Sequence, residues 1–238
     1  MDTANTASAS QEMDDSLLVA QLRAGQAGAY ERLMRRYNRR LFRAARGIVP
    51  DDAEAQDAVQ EAYLHAFVAL QGFRGEASLG TWLTRIVINQ ALSQQRKLGR
   101  IVLWGSAPEE EGNPTMPPRE DPESAMPGSE TPEQALLRRQ LREQLQQALD
   151  GLAPIYRSVV MLRAVEGLSV QECADCLSVS PEVVKTRYLR ARALLRESLA
   201  TAPLQELPRV HDFQAQRCDD LVASTLARLR ADGLIRDH

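Results

Sequence analysis

A chain of 238 residues, 44% hydrophobic and 26% charged, has room for one or two domains and enough apolar side chains to bury a core, which excludes disorder throughout. Its net charge of −3 is unevenly spread: residues 1–100 hold 13 Lys+Arg against 11 Asp+Glu, 101–132 hold 1 against 7, 133–200 hold 10 against 8, and 201–238 hold 5 against 6. Two mildly basic blocks therefore flank one acidic segment, and the global charge does not exclude a nucleic-acid partner.

The first fifteen residues, MDTANTASASQEMDD, are polar and acidic and lack the basic-then-apolar layout of an export signal. No apolar run reaches the length that crosses a bilayer, so a cytoplasmic location without stable membrane insertion is expected, with residues 1–13 disordered. Three cysteines, Cys173, Cys176 and Cys218, are an odd number at low density, which suits a reducing compartment better than a disulfide framework.

From residue 17 the chain reads as helix. Leu33, Tyr37, Leu41, Ala44 and Ile48 recur at spacings of three and four, the stripe of an amphipathic helix that Pro50 closes. Asp51 and Glu54 form an N-cap and capping-box pair opening a second helix, with Val59, Tyr63, Phe67 and Leu70 inward until Gln71 and Gly72 end it. A third helix is predicted from about Ser78 to Lys97. Nothing in this half alternates apolar and polar residues with period two, so no strands are expected.

Residues 101–130 are dense in Pro, Glu, Gly and Ser and have no sustained apolar period. Such a segment cannot offset the entropy of ordering itself and reads as a flexible acidic linker. Thr131, Pro132 and Gln134 then open a helix to about Leu149. Pro154 begins another that Gly167 stops. Ser169 and Glu172 make a capping box for a short helix ending near Leu177, and Ser180 with Pro181 caps a last long helix to about Ala200. Short helix, tight turn and long helix are the layout of a helix-turn-helix unit.

The last helix of that unit carries the most information. Placing successive residues about 100° apart sets Val184, Tyr188, Ala191 and Leu195 on one stripe and Thr186, Leu189, Arg190 and Ala193 opposite it. Lys185, Arg192 and Arg196 flank one side and Arg187 the other. That is the cross-section of a helix lying in a major groove, with small or uncharged side chains toward base edges and cations toward phosphates. A basic helix face is more often simply solvated, and the capped short helix in front of this one is what raises the DNA-binding alternative.

In the first half, TWLTRIVINQALSQQRK places Trp82, Arg85, Asn89 and Arg96 on one side of a helix. An aromatic, an amide and cations along one face suit single-stranded DNA, whose bases stack on aromatics and are held by their edges. The alternative is that Trp82 plugs the core. Periodicity leaves these two open.

The strings DAEAQDAVQEAYLHAFVAL and FRGEASLGTWLTRIVINQ, the acidic linker, and GLSVQECADCLSVSPEVVKTRYLRARALL, in that order, resemble regions 2 and 4 of the extracytoplasmic-function sigma factors of the sigma-70 family, group 4. The resemblance covers about residues 14–100 and 131–200 and implies an all-α protein: a region 2 helical bundle, a region 4 helix-turn-helix domain, and a helical tail over 201–238. It implies a transcription initiation factor, not an enzyme, whose partners are core RNA polymerase (the large-subunit clamp helices and the flap), promoter DNA and an anti-sigma factor. Asp51, Asp52, Glu54, Asp57, Gln60 and Glu61 would face the clamp helices. The loop from Phe73 through Arg74 to Ser78, with Asn89, would capture a base flipped from the −10 element, and Trp82, Arg85, Arg96 and Lys97 would line the same strand. Lys185, Thr186, Leu189 and Arg190 would contact the −35 element, with Arg187, Arg192 and Arg196 on phosphates. The acidic linker would pass near the RNA exit path, where its charge suits mimicry of nucleic acid.

Two departures from the family pattern stand out. Glu182 and Val183 replace the usual Gly-Thr at the start of the −35 helix, which favours the helix dipole but brings a negative charge near DNA. Ala55 and Gln56 stand where acidic or apolar residues are common.

Cys173 and Cys176 form a C-x-x-C, a spacing shared with redox pairs and half metal sites. No second C-x-x-C or closely spaced His pair completes four ligands, so they are read as small hydrophobes of the helix-turn-helix core, and no metal or cofactor is expected. In the tail, Phe213, Cys218, Leu221, Val222, Thr225, Leu226 and Leu229 mark a final amphipathic helix. It must bury that face either on the helix-turn-helix domain or on a regulatory partner. A regulator using the helix-turn-helix alone would need neither the acidic helix 51–61 nor the tryptophan-bearing helix. Against an enzyme with a thiol or metal centre, the sequence has only three histidines, no phosphate-cradling Gly loop and no nucleophile elbow.

Overall fold

The protein, seen here as a computed structural model, is described over residues 14–100, 132–199, 211, 213 and 215–235. The expected disordered N-terminus, the acidic linker over 101–130 and the N-cap Thr131 lie outside the described residues. Every regular element among the described residues is helical. The chain forms two compact units, one of residues 1–97 with 213–238 and one of residues 98–212.

In the first unit, helix α1 (14–23) and helix α2 (Ala27–Arg46) are separate, where the sequence reads as a single amphipathic run. Gly25, at φ +73°, makes the break, a backbone conformation that side chains rarely tolerate. Helix α3 (Asp52–Ala69) starts as expected: the Asp51 carboxylate accepts the backbone N–H of Glu54 at 2.8 Å. A short 3-10 turn, Leu70–Gly72, ends it. Helix α4 (Leu79–Lys97) begins on Ser78, whose Oγ accepts the backbone N–H of Thr81 at 3.1 Å.

Small residues bring these helices together. Ala55, Ala58, Ala62 and Ala66 line the buried side of α3, and Gly80 lets α4 lie against Tyr37 and Arg40 of α2. A Cβ on Gly80 would stand 2.6 Å from the Arg40 guanidinium and 3.0 Å from the Tyr37 ring. Around this crossing are packed Leu33, Met34, Leu41, Phe42, Val59, Tyr63, Leu83 and Ile88, all essentially inaccessible. Each aliphatic or aromatic side chain so buried contributes on the order of 1.5–3 kcal/mol before chain entropy is counted. Polar partners are few and specific: the Tyr63 hydroxyl donates to Asn38 Oδ1 at 2.8 Å, and the Tyr37 hydroxyl donates to Asp15 at 2.7 Å. Burial pushes both tyrosine pKa values up, and for Tyr37 the bond to Asp15 adds to it.

The tail supplies the fifth helix of this unit, α9 (Ala215–Ala231). It buries its apolar face neither on the helix-turn-helix nor on a separate partner. Leu221, Val222, Thr225 and Leu229 turn inward on α2 and α3, and the ring of Phe213 lies 4.8 Å from that of Phe42. The stripe needed an apolar surface, and the back of α2 provides one within the same unit.

In the second unit, helix α5 (Pro132–Asp150), helix α6 (Pro154–Val160), helix α7 (Val170–Leu177) and helix α8 (Pro181–Ser198) surround Leu145, Leu149, Leu152, Val160, Met161, Ala191 and Leu195. Helix α6 runs on into a π-helical turn, Met161–Val165, and Gly167 at φ +69° ends it. The capping box of α7 is complete: Ser169 Oγ accepts from the Glu172 N–H at 3.1 Å, and the Glu172 carboxylate accepts from the Ser169 N–H at 2.8 Å. Ser178 ends α7 in the left-handed region, and two residues later Ser180 caps α8 by accepting the Val183 N–H at 3.3 Å. A turn of three residues thus joins the two helices of the motif. Cys173 and Cys176 are reduced and buried on α7. Among the described residues no group of three or more His, Cys, Asp and Glu could hold a metal, and no helix is long and apolar enough to cross a membrane.

Candidate nucleic-acid interface

Helix α8 sorts its side chains by depth. Val184, Ala191 and Leu195 are fully buried, whereas Lys185, Thr186, Arg190, Ala193 and Arg196 are exposed and Leu189 and Arg192 half-buried. The outward arc is therefore short, uncharged at its middle and cationic at its edges. Thr186 Oγ1 donates to the Glu182 carbonyl at 3.0 Å, which ties its hydroxyl to the helix backbone. Glu182 is itself exposed in the first turn.

Arg187 departs from the expected phosphate row. It is 2% exposed and packs inward with Val184 and Ala191. The reason is positional: residue 187 is three after Val184 and four before Ala191, so it falls in the buried stripe, and Tyr188 is displaced to half-burial at its edge. Burial lowers the Arg187 pKa, an effect the nearby Tyr156 partly offsets. Tyr188 holds two other cations. The guanidinium carbons of Arg163 and Arg192 each lie 5.9 Å from its ring centroid. Arg163 also donates to the Leu168 carbonyl. It stands 25 residues before Tyr188 in the chain, so no helical spacing announces it.

In the first unit, Trp82, Arg85, Asn89 and Arg96 do share a side of α4. Arg85, Asn89, Arg96 and Lys97 are exposed, and Trp82 is half-buried. Trp82 is thus not a core plug: its ring rests on Phe73, centroids 5.0 Å apart and planes at 48°. Phe73 opens the loop to α4, where Arg74 and Ser78 are exposed. That loop and α1 enclose an open cavity of ≈ 510 Å³ lined by Asp15, Ser16, Val19, Arg23 and the residues from Phe73 to Leu79. Arg23 braces the loop from α1 by donating to the Phe73 carbonyl at 2.5 Å and the Leu70 carbonyl at 3.3 Å. Asn89 does not line the cavity; it lies about two turns along α4 from Trp82. The cavity and its Arg23 brace are new with respect to the sequence, because the break at Gly25 is what lets α1 fold back over a loop some fifty residues away.

The polar residues Asp51, Asp52, Glu54, Asp57, Gln60 and Glu61, at the N-cap and along α3, divide into three groups. Asp51 and Asp57 are exposed. Glu54 accepts from Gln95 Nε2 of α4 at 2.9 Å. Asp52, Gln60 and Glu61 are half-buried and engaged by α9: Asp52 by Arg217, with Arg46 Nε also at 3.0 Å, Gln60 by the Ser224 hydroxyl at 3.1 Å, and Glu61 by Arg228 at 2.5 Å. Ala55 is fully buried and Gln56 half-buried, so the substitutions at these two positions leave the exposed acidic face intact.

The Sigma-70 region 2 family model matches residues 33–101, and the Sigma-70, region 4 model matches residues 142–195. The RNA polymerase sigma-H factor of Pseudomonas aeruginosa is 30% identical over 185 residues, which cover 78% of this chain and 93% of the relative. The ECF RNA polymerase sigma-E factor of Escherichia coli strain K12 is 28% identical over 183 residues, covering 77% of this chain and 93% of the relative. Among solved structures, that of CnrH in complex with the cytosolic domain of CnrY aligns with a TM-score of 0.52 and 26% identity, over 78% of this chain and 97% of that one.

Proposed function

Because the chain belongs to the extracytoplasmic-function group of the sigma-70 family, we propose a division of its surfaces in which α8 reads duplex DNA, the α1–α4 cavity takes an unpaired base, and α3 meets polymerase. The protein is a transcription initiation factor that binds core RNA polymerase and directs it to promoters. The match over residues 33–101 separates it from a regulator that uses a helix-turn-helix alone.

The −35 element is recognised by a rigid helix in the major groove, where each base pair presents a distinct pattern of donors and acceptors. Arg190, Thr186, Leu189 and Ala193 face the base edges, and Lys185, Arg192 and Arg196 reach phosphates. Arg187 leaves this set because its guanidinium is buried; it holds α8 on its core instead. The exposed carboxylate of Glu182 beside the groove disfavours base edges that present acceptors, and it tilts preference toward a cytosine amino group at that end.

The −10 element is read after opening. An unpaired base offers edges that the duplex hides, and the cavity between α1 and the Phe73–Ser78 loop has the polar rim and the size to hold one. Phe73 and Trp82 form an aromatic step beside it, and Arg85, Asn89, Arg96 and Lys97 carry the strand along α4. Asp51, Glu54 and Asp57, with Asp52, Gln60 and Glu61, face the clamp helices, and the second unit meets the flap. The chain acts by binding and strand separation, makes or breaks no bond with its own side chains, works in the cytoplasm and answers to an anti-sigma factor.

The observation that carries this proposal is the separation of α8 into a buried Val184–Ala191–Leu195 stripe and an exposed cationic arc. Transcription in vitro with core polymerase, followed by sequencing of the starts, tests it. One shared pair of upstream elements is expected; absence of any complex with core polymerase overturns it.

A further inference from the structure

Helix α9 lies across the face of α3 assigned above to polymerase, and its contacts run in register. Arg217 meets Asp52, Ser224 meets Gln60 and Arg228 meets Glu61, so α9 runs parallel to α3. Arg217, Leu221, Ser224 and Arg228 recur at spacings of four, three and four, which puts two cations and the hydroxyl on one stripe with the buried leucine between them. On the α2 side, Arg35 pairs with Asp219 at 2.7 Å and Asn38 Nδ2 donates to Cys218 Sγ at 3.2 Å. Val222, Thr225 and Leu229 seal the middle. This is a docked interface with an apolar centre and a charged rim.

We propose that α9 is an intramolecular occupant of the polymerase-binding face, and that core polymerase and α9 exclude one another there. The inference rests on the assignment of α3 to polymerase made above. With α9 seated, Arg217, Ser224 and Arg228 already fill the space over Asp52, Gln60 and Glu61 that a partner helix would need, and a competitor tethered in the same chain returns to that face without a second binding event. Polymerase therefore binds only the fraction of molecules in which α9 has lifted, and the apparent affinity falls by that fraction. The exposed Asp51 and Asp57 remain available for a first contact while Asp52, Gln60 and Glu61 are covered.

Two variants of the full chain test this. Arg217→Gln with Arg228→Gln removes both cationic contacts and keeps the apolar seal. Asn38→Cys places a thiol beside Cys218, so oxidation locks α9 onto α2 and reductant releases it; formation of the disulfide is checked by mass spectrometry. Affinity for core polymerase is measured by fluorescence anisotropy of labelled protein. The double glutamine variant is expected to bind roughly tenfold tighter than the wild type, and the oxidised Asn38→Cys form at least roughly tenfold weaker than its own reduced form. Equal binding by the locked and reduced forms overturns the proposal, even where the glutamine variant proves unstable. Asp57→Ala, at an exposed residue that α9 does not engage, separates the two levels. If it weakens core binding while the lock has no effect, only the role of α9 is lost. If it too has no effect, the assignment of α3 to polymerase is lost.

Discussion

The outer arc of α8 and the acidic face of α3 are both charged helix surfaces, yet in the free chain one is open and the other is covered. Lys185, Arg190 and Arg196 face solvent, whereas Asp52, Gln60 and Glu61 already touch Arg217, Ser224 and Arg228. The difference follows from what each surface can find within its own unit. The α8 arc offers cations in a unit whose apolar stripe is satisfied by α5, α6 and α7, and among the described residues its outer side stays exposed. The α3 face offers carboxylates beside an apolar groove around Phe42, and an amphipathic helix edged with arginines satisfies both at once. A DNA-binding face can thus wait open at little cost, with its occupancy set by salt, while a protein-binding face of the opposite charge needs a conformational step first.

The largest expected effect concerns what keeps the α8 arc in place. Leu145→Ala empties the centre of the α5–α6–α8 core and should lower the stability of that unit by about 2–5 kcal/mol. Hydrogen exchange should show α8 amides losing protection while those of α2 to α4 keep theirs. A parallel loss in both units would break the comparison, since it would make the open and covered faces parts of one cooperative core.

Next in size is the contact made by the open face itself. Arg190→Ala should weaken binding to a −35 duplex by about 1–3 kcal/mol, or roughly 5- to 150-fold, and relax preference at one base pair. Lys185→Ala should weaken binding uniformly across sequences and reduce the salt slope by about one. Neither should alter affinity for core polymerase. Arg187→Met, in contrast, should leave the salt slope unchanged, because that guanidinium is buried.

A third test uses pH and bears on the covered face. Tyr63 is raised well above its ordinary pKa by burial first, then by Cys218 and Tyr37, and Tyr37 is raised by burial and its bond to Asp15. The unfolded chain releases these protons near pH 10, and the folded chain holds them to higher pH. Stability of the first unit is therefore complete below about pH 10 and falls as pH rises above it, by up to about 1.4 kcal/mol per pH unit for each tyrosine. Tyr63 donates to Asn38, which donates to Cys218 of α9, so the docking of α9 should loosen in the same window. Urea melts at pH 9 and 10.5 check the first statement, and the Tyr63→Phe variant should flatten the difference.

Most helix boundaries were legible because their signals are local. The capping box of Ser169 and Glu172, the caps at Asp51 and Ser180, and the stop at Gly167 each act within four residues. The buried stripe of α8 is legible within one position; placing residues 100° apart sets Arg187 on the flank next to Val184 and Ala191, and the core extends far enough around the helix to bury it there. What could not be read are matches between segments far apart. The Gly25 break showed no sign that α1 would brace the Phe73 loop through Arg23. The tail showed an apolar stripe without an address, because amphipathicity reports that a face must be buried and says nothing of where.

The smallest effect separates presentation of the open face from contact by it. Ser169→Ala removes half of the capping box on α7 and leaves the Glu172 backbone N–H without its hydroxyl acceptor, at a loss of about 1 kcal/mol. Helix α7 supports α8 from behind and Ser169 lies off the outward arc, so the loss falls on the folded population and not on any DNA contact. Thermal melting should show the second unit destabilised, while the salt slope of −35 binding at low temperature should match that of the wild type. A reduced slope would mean that α7 contributes its own phosphate contact, and the open face would then be wider than the arc of α8.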